Sequence, residues 1–394
     1  MINKWFLLLS LVYFFSACSS TEIEETVVVS DQDAVLEQFN GKIDLNDLPN
    51  YANQEIPDYI SKDNTADNPI TNKGAILGRI LFYDKNLSSS NTIACASCHK
   101  QAFAFGDNDI ASTGVNGTTG RHSMRLINAR FAEEDNFFWD ERAATLEVQT
   151  TQPIQDHIEM GFSGDDGDDD INSLFEKLES FEYYNELFTF AYGDTQVTEE
   201  RMQNALAQFI RSIQSFDSKY DEGRVLAGNN NLDFSNFTDE ENEGKALFMR
   251  RPDFNNNGVR IGGGLGCNIC HRAPEFDIDP NSRNNGIIAA LASSNELDTD
   301  VTRSPTLRDL FNTDANLNGP MMHTGFTEDF GEVLEHYNNI PDNGNGLDNR
   351  LSPQGNPQKL SLTASEKEAV IAFIMTLSGS DVYNNEKWSD PFSE

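Results

Sequence analysis

Apolar residues recur at three- and four-residue spacing in several separate stretches of the chain, and each stretch predicts a helix. Two of them resemble each other: Lys73–Phe82 (KGAILGRILF) and Glu243–Met249 (EGKALFM) both read as short amphipathic helices. The same periodicity runs through Ile171–Tyr192, Thr363–Leu377 and Glu199–Lys219, the last through Met202, Leu206, Phe209, Ile210 and Ile213. Thr363-Ala-Ser-Glu366 has the form of a capping box, in which two side chains satisfy backbone N–H groups at a helix start. Period-two alternation, the mark of a strand, is scarce. The expected fold class is mainly α with long loops.

The two ends follow other patterns. Trp5–Phe15 (WFLLLSLVYFF) is an apolar run of 11 residues, preceded by Lys4 and followed by Ser16-Ala17-Cys18. It is shorter than the roughly 20 residues a membrane-spanning helix needs, and its flanks are those of a secretion signal. Small residues directly before a cysteine resemble the bacterial lipobox, which implies removal of residues 1–17 and a lipid on Cys18. The expected location is periplasmic or cell-envelope, with the lipid anchor as the sole membrane contact. Residues 18–67 are acidic and polar, with Val27–Val29 as the one apolar cluster, and read as a tether. Residues 381–394 read as a tail.

Charge narrows the function. Among 394 residues, 28 Lys+Arg oppose 64 Asp+Glu, a formal net charge of −36. Such a field repels phosphate, and no basic cluster offsets it, which excludes nucleic acid as a partner. A hydrophobic fraction of 38% with 10% aromatics is enough to build cores.

With Cys18 assigned to the signal, four cysteines remain, as Cys95-Ala-Ser-Cys98-His99 and Cys267-Asn-Ile-Cys270-His271. C-x-x-C-H is the attachment signature of c-type haem: two thiols at this spacing reach the two vinyl groups of one porphyrin, and the next histidine becomes the proximal iron ligand. A thioredoxin-like redox pair does not require the histidine. A zinc site would need the two pairs, 172 residues apart, to meet in the fold. Two covalently bound haems are expected, one in each of two cytochrome c-like helical domains, at 68–225 and 226–380. Aromatic residues follow each motif, Phe103 and Phe105 in the first and Phe276 in the second.

On these motifs the chain resembles the bacterial di-haem cytochrome c peroxidase and MauG family, from about Asn68 to Gly379. Phe138-Trp139-Asp140-Glu141-Arg142 is similar to the family's F-W-D-G-R, with Glu141 in place of glycine, and Gln149, Pro153 and Glu159-Met160-Gly161 follow at the family's spacing. The resemblance implies that the first haem is the peroxidatic one, with Glu159 as acid/base, Gln149 orienting peroxide or water, Pro153 walling the pocket and Trp139 relaying electrons between haems. Read on their own residues, without the resemblance, Glu159 is a solvated helix-cap acid and Trp139 an ordinary core tryptophan. For the second haem, Pro320-Met-Met-His323-Thr-Gly325 resembles P-Y-x-H-x-G, and fourteen residues beyond His323 stands Tyr337. Peroxidases of the family have methionine there and MauG has tyrosine, so Tyr337 is the expected sixth ligand, with Met321, Met322 and His336 as rivals. A phenolate oxygen favours higher iron oxidation states than a thioether.

Two departures matter. The peroxidases carry a histidine on a loop that blocks the peroxide site at rest, and its counterpart here, Thr113–Thr119, has none. His122 stands where relatives have an asparagine that helps hold an inter-haem calcium ion, whose backbone donors correspond to Asn318 and Pro320. His157 is placed to tune Glu159 or to sit at the surface. The acidic run Gly164–Asp170 reads as a solvated loop, with calcium as the alternative.

The leading expectation is a di-haem peroxidase that reduces hydrogen peroxide to water with electrons from a small cytochrome c or cupredoxin. The alternatives are a MauG-like enzyme oxidising Tyr or Trp side chains of a partner protein, and a non-catalytic electron carrier. Relatives are often dimers; a homodimer is compatible with the sequence, and no residue shows it.

Overall fold

A computed structural model describes residues 33–133, 136–278, 282–289, 297, 299, 303–341 and 346–392. The signal sequence, Cys18 and the start of the acidic segment lie outside the described residues. The helices are α1 (Asp33–Gln38), α2 (Asn72–Tyr83), α3 (Cys95–Cys98), α4 (Leu146–Thr151), α5 (Ile171–Glu179), α6 (Glu182–Tyr192), α7 (Glu199–Ser212), α8 (Lys219–Ala227), α9 (Asp239–Met249), α10 (Phe330–Asn338) and α11 (Ala364–Met375). Strands are confined, among the described residues, to two antiparallel pairs: β1 (Pro252–Phe254) with β2 (Arg260–Gly263), and β3 (His271–Arg272) with β4 (Asp277–Ile278). The fold is mainly α. No helix among the described residues is long and apolar enough to cross a membrane.

Each half is framed by one close helix crossing. In the N-terminal half α2 packs on α7 with Gly78 against the backbone carbonyl of Ala205 and beside Phe209. In the C-terminal half α9 packs on α11 with Gly244 against the carbonyl of Ala369 and beside Phe373. A Cβ at either glycine would overlap that carbonyl oxygen, so only glycine lets the axes approach this far. Four residues after each glycine comes a phenylalanine buried in its core, Phe82 or Phe248. Next to each glycine stands a buried cation: Arg79 donates to the Ser389 carbonyl, and Lys245 to that of Leu232. The internal resemblance is thus a repeated packing unit. α11 begins on the expected capping box of Thr363 and Glu366.

Several expectations need correction. The periodic stretch 171–192 forms two helices, because Phe181 is extended and starts α6 while the Ser180 hydroxyl closes back on the Lys177 carbonyl. The stretch 199–219 stops at Ser212, where Asn128 takes over the backbone: its N–H donates to the Ile213 carbonyl, and its side chain pairs with both backbone groups of Ser215. The third correction concerns the tether. From Asp33 onward the acidic segment is built into the N-terminal core through the buried Val35, Phe39, Ile43, Leu45 and Tyr51. Glu186 accepts the Val35 N–H, and the Tyr51 hydroxyl donates to the Lys387 carbonyl. Burying such side chains contributes roughly 1.5–3 kcal/mol each, enough for a few well-spaced ones to fix a polar segment.

The tail joins the same core, with Val382 and Trp388 fully buried and the Tyr83 hydroxyl on the Trp388 carbonyl. The N-terminal half is therefore closed by residues 33–51 on one side and 382–388 on the other. The boundary falls between Ile213, in the first core, and Tyr220, in the second, rather than at 225–226.

Candidate functional site

The single turn of α3 presents Cys95 and Cys98, and the chain then folds back so that Lys100 and Gly106 pair. That fold requires left-handed φ at Ala104 and Phe105 and brings the Phe105 carbonyl to 3.2 Å from His99 Nδ1. The second motif repeats the device with a distant partner: His271 Nδ1 lies 3.0 Å from the Pro305 carbonyl. In both, the carbonyl fixes the proton on Nδ1 and leaves Nε2 with its lone pair for a metal. Burial lowers both imidazole pKa values, His271 to about 4, which keeps the rings neutral. None of Cys95, Cys98, Cys267 and Cys270 is in a disulfide; burial raises Cys95 and Cys267 to about 12 and Cys98 to about 11.

Cys267, Cys270 and His271 line one largely apolar cavity together with Met321, Met322 and Tyr337. Reduced paired thiols, a histidine with its outer nitrogen fixed, and further ligand candidates around an apolar hollow are what a covalently held haem requires. The residues fit the group. The Tyr337 hydroxyl is 3.3 Å and the Met322 sulfur 3.4 Å from the same donor, Asn285 Nδ2. Burial raises the Tyr337 pKa well above its ordinary value, so the unligated phenol holds its proton. His336 is turned elsewhere, with Nε2 2.9 Å from the Asn285 carbonyl and no place in the cavity wall.

Near the first motif stands Glu159. Its charge bears on both Cys95 and Cys98, and it shares a pocket with Pro153, Gln152, Asp156 and Arg142. Asp156 Oδ1 accepts the N–H groups of Ile158 and Glu159 at 2.8 and 2.9 Å, which sets the turn that aims the acid. Burial first and the Asp156 charge second raise the Glu159 pKa to about 7, against the opposing pull of Arg142. A carboxyl at this value both accepts and gives up a proton near neutral pH. Gln149 lies on α4 with its side chain half-buried and without a partner among the described residues, outside the wall of that pocket.

The loop 113–119 is pinned beside the acid. Val115 N–H donates to the Glu159 carbonyl, Asn116 N–H to that of Ile158 and the Asn116 amide to that of His157, while Gly114 rests on the Ile158 carbonyl. His157 itself binds Asp168 at 2.9 Å on the partly exposed face, and Asp170 caps α5. These contacts account for two acids of the run 164–170 as structural groups. Among the described residues no three His, Cys, Asp or Glu side chains converge as a metal site.

Trp139 joins the halves. Its indole N–H donates to the His122 carbonyl at 2.7 Å, its ring lies 6.1 Å from that of His323, and it forms part of the C-terminal cavity wall. The His122 N–H in turn donates to the His323 carbonyl, and its Nδ1 faces the Asp109 and Ile110 carbonyls. Asn318 gives its amide N–H groups to the Asp309 carbonyl and the Tyr383 hydroxyl. Sequence reasoning missed Arg142 as a pocket residue, although it stands in the quoted F-W-D-E-R stretch. It also missed Asn285, which no local pattern marks.

Residues 72–231 match the family model described as di-haem cytochrome c peroxidase. The methylamine utilization protein MauG of Methylophilus methylotrophus is 30% identical over 319 residues, covering 79% of this chain and 84% of that protein. The cytochrome c551 peroxidase of Nitrosomonas europaea is 27% identical, covering 77% of this chain and 80% of that one. Among solved structures, a MauG-like protein associated with microbial copper homeostasis superposes with a TM-score of 0.66 at 26% identity, over 86% of this chain and 99% of that chain. The chain belongs to the di-haem cytochrome c peroxidase and MauG family, whose members carry two covalently attached c-type haems.

Proposed function

We propose that the chain reduces hydrogen peroxide to water at the N-terminal haem and draws the two electrons through the C-terminal one. The observation that carries this is Glu159, an acid with a pKa near 7 set by its own turn close to Cys95 and Cys98. Cys95, Cys98 and His99 would hold a haem, which when bound would supply an iron site for peroxide and a store of electrons. Glu159 takes a proton from one peroxide oxygen and returns it to the other as the O–O bond breaks. Two electrons and two further protons complete two waters. Pro153 and Arg142 wall the approach, and Trp139 bridges the halves. Electrons come singly from a small cytochrome c or cupredoxin. We place the protein in the periplasm or cell envelope, anchored at Cys18, on the strength of its N-terminal sequence.

A second reading changes the reductant. In a MauG-like enzyme the electrons come from Tyr or Trp side chains of a partner protein. Two observations support it: Tyr337 reaches the C-terminal cavity, and the histidine-free loop 113–119 is stapled to the Glu159 backbone rather than lying free to swing across it.

One equivalent of hydrogen peroxide added to the fully oxidised protein, followed by absorption and electron paramagnetic resonance, separates the readings. A prompt change favours the MauG-like one. Reaction of the half-reduced form alone favours the ordinary peroxidase. No reaction in either form leaves an electron carrier. Tyr337→Met is expected to abolish a prompt change, and unaltered spectra in that variant would show that Tyr337 is not the ligand.

A further inference from the structure

The loop 321–327 faces two ways. Met321 and Thr327 pair across its base, so Met321, Met322 and His323 line the cavity while Phe326 points outward, 45% exposed. Gly325, with φ of 57°, lets Ile110 of the N-terminal half pack directly on this loop, and Ile110 is itself 50% exposed. The two side chains form a small apolar spot over the line where the halves meet. Beneath it the rings continue inward: Phe326 lies 6.5 Å from His336, and His336 5.2 Å from Tyr337, which reaches the cavity.

The rim is acidic. Asp109, Glu328, Asp329 and Glu332 are exposed around the spot, and Lys100, which pairs with Asp109, is already bound by Asp107 and Asp109. A small apolar centre with a one-signed rim suits a brief electron-transfer encounter, for which interfaces sit at the low end of the size range and charge governs the on-rate.

We propose that the Ile110–Phe326 spot is the docking surface for a basic redox protein, and that its electron enters by way of Phe326, His336 and Tyr337. The inference rests on the reading under Proposed function that the C-terminal haem receives electrons. The step is a single electron transfer: the docked protein is oxidised by one electron, the C-terminal haem is reduced by one, and no bond or proton moves.

The test is stopped-flow reduction of the oxidised holoprotein by a reduced, lysine-rich monohaem cytochrome c, over a range of salt. Phe326→Ser is expected to lower the bimolecular rate about fivefold or more, and Glu328→Lys to lower it and flatten its salt dependence. Reduction by dithionite and the absorption spectra stay unchanged in both. Rates within twofold of the parent in both variants would overturn the proposal. So would a concentration-dependent dimer in sedimentation velocity that is lost in Phe326→Ser, since it would assign the spot to a second copy of the chain. If dithionite-reduced parent protein fails to consume hydrogen peroxide, the functional reading falls whatever the docking rates show.

Discussion

The N-terminal half sets an acid, Glu159, near its paired cysteines, whereas the C-terminal half sets a phenol and two thioethers, Tyr337, Met321 and Met322, around its cavity. Almost everything else about the two is shared: a glycine-mediated helix crossing, a C-x-x-C-H turn, and a histidine whose Nδ1 is clamped by a carbonyl. The common frame holds a haem in either half. A proton-handling group near one and ligand-type groups around the other divide the labour between substrate chemistry and electron passage. Function in this pair lies in what faces the cofactor, and the frame is indifferent to it.

The largest effect should come from removing that asymmetry. Glu159→Gln is expected to slow the reaction with peroxide by about 10²-fold or more, the range general acid–base groups supply. In the parent, the carboxylate is the form that accepts a proton, and its pKa is raised to about 7. The second-order rate should therefore climb as pH rises through 7 and level off above 8, and the Gln variant should show a flat profile. A retained step in the variant would place the titration elsewhere.

The shared frame is broken next. Gly244→Ala and Gly78→Ala each force a methyl into a backbone carbonyl, at an expected cost of roughly 2–4 kcal/mol. The N-terminal half is closed additionally by residues 33–51 and the buried Trp388, so it should tolerate the insult better. Thermal unfolding followed at each haem's absorption band would show the C-terminal half melting first in Gly244→Ala. Equal losses would mean that the wrapped ends add nothing to the crossing.

Much of this was legible in the chain. The helix periods of Lys73–Phe82 and Thr363–Leu377, the mainly α class and the two haem motifs are local patterns, and local patterns survive folding. The wrapped ends were not legible, because Val35, Phe39, Tyr51 and Trp388 are isolated apolar residues in polar surroundings and their partners lie far away in sequence. The helix stops at Ser180 and Ser212 were hidden for the same reason: a periodic pattern continues across them, and tertiary contacts such as Asn128 decide the break. At the site, Glu159 was visible only through the family's spacing, while Asn285, which touches both Tyr337 and Met322, carries no signature at all.

A pH effect on stability should also separate the halves. In the C-terminal half Asp277 lies buried beside Glu275, with Lys62 3.2 Å away and its own Oδ2 unpartnered. Burial, with Glu275 adding, raises its pKa to about 6 against the pull of Lys62 and Arg303. A raised carboxyl binds its proton more tightly folded than unfolded, so stability falls as pH rises from about 4 to about 6 and stays lower above. Asp277→Asn should accordingly add about 1–3 kcal/mol at pH 8 and little at pH 4. Chemical denaturation at the two pH values checks this, and a variant weakened at pH 8 but not at pH 4 would show that Lys62 needs the charge.

The smallest expected effect concerns the stretch that ties the halves together. Phe138 and Glu141 flank Trp139 with left-handed φ values of 71° and 56°, and Glu141 occupies the place where the family pattern has glycine. A non-glycine residue held there costs on the order of 1 kcal/mol, and glycine removes the cost. Glu141→Gly should raise stability by up to about 1 kcal/mol, a few degrees at most in a protein of this size. Glu141→Val, β-branched and least able to adopt the conformation, should lower it by at least as much. The indole bond to the His122 carbonyl does not involve the Glu141 side chain, so both variants should pass electrons between the haems at the parent rate. If Glu141→Gly stabilises the fold and slows that transfer, the strain at Glu141 holds Trp139 in place, and the seam is a working part of the asymmetry rather than a neutral joint.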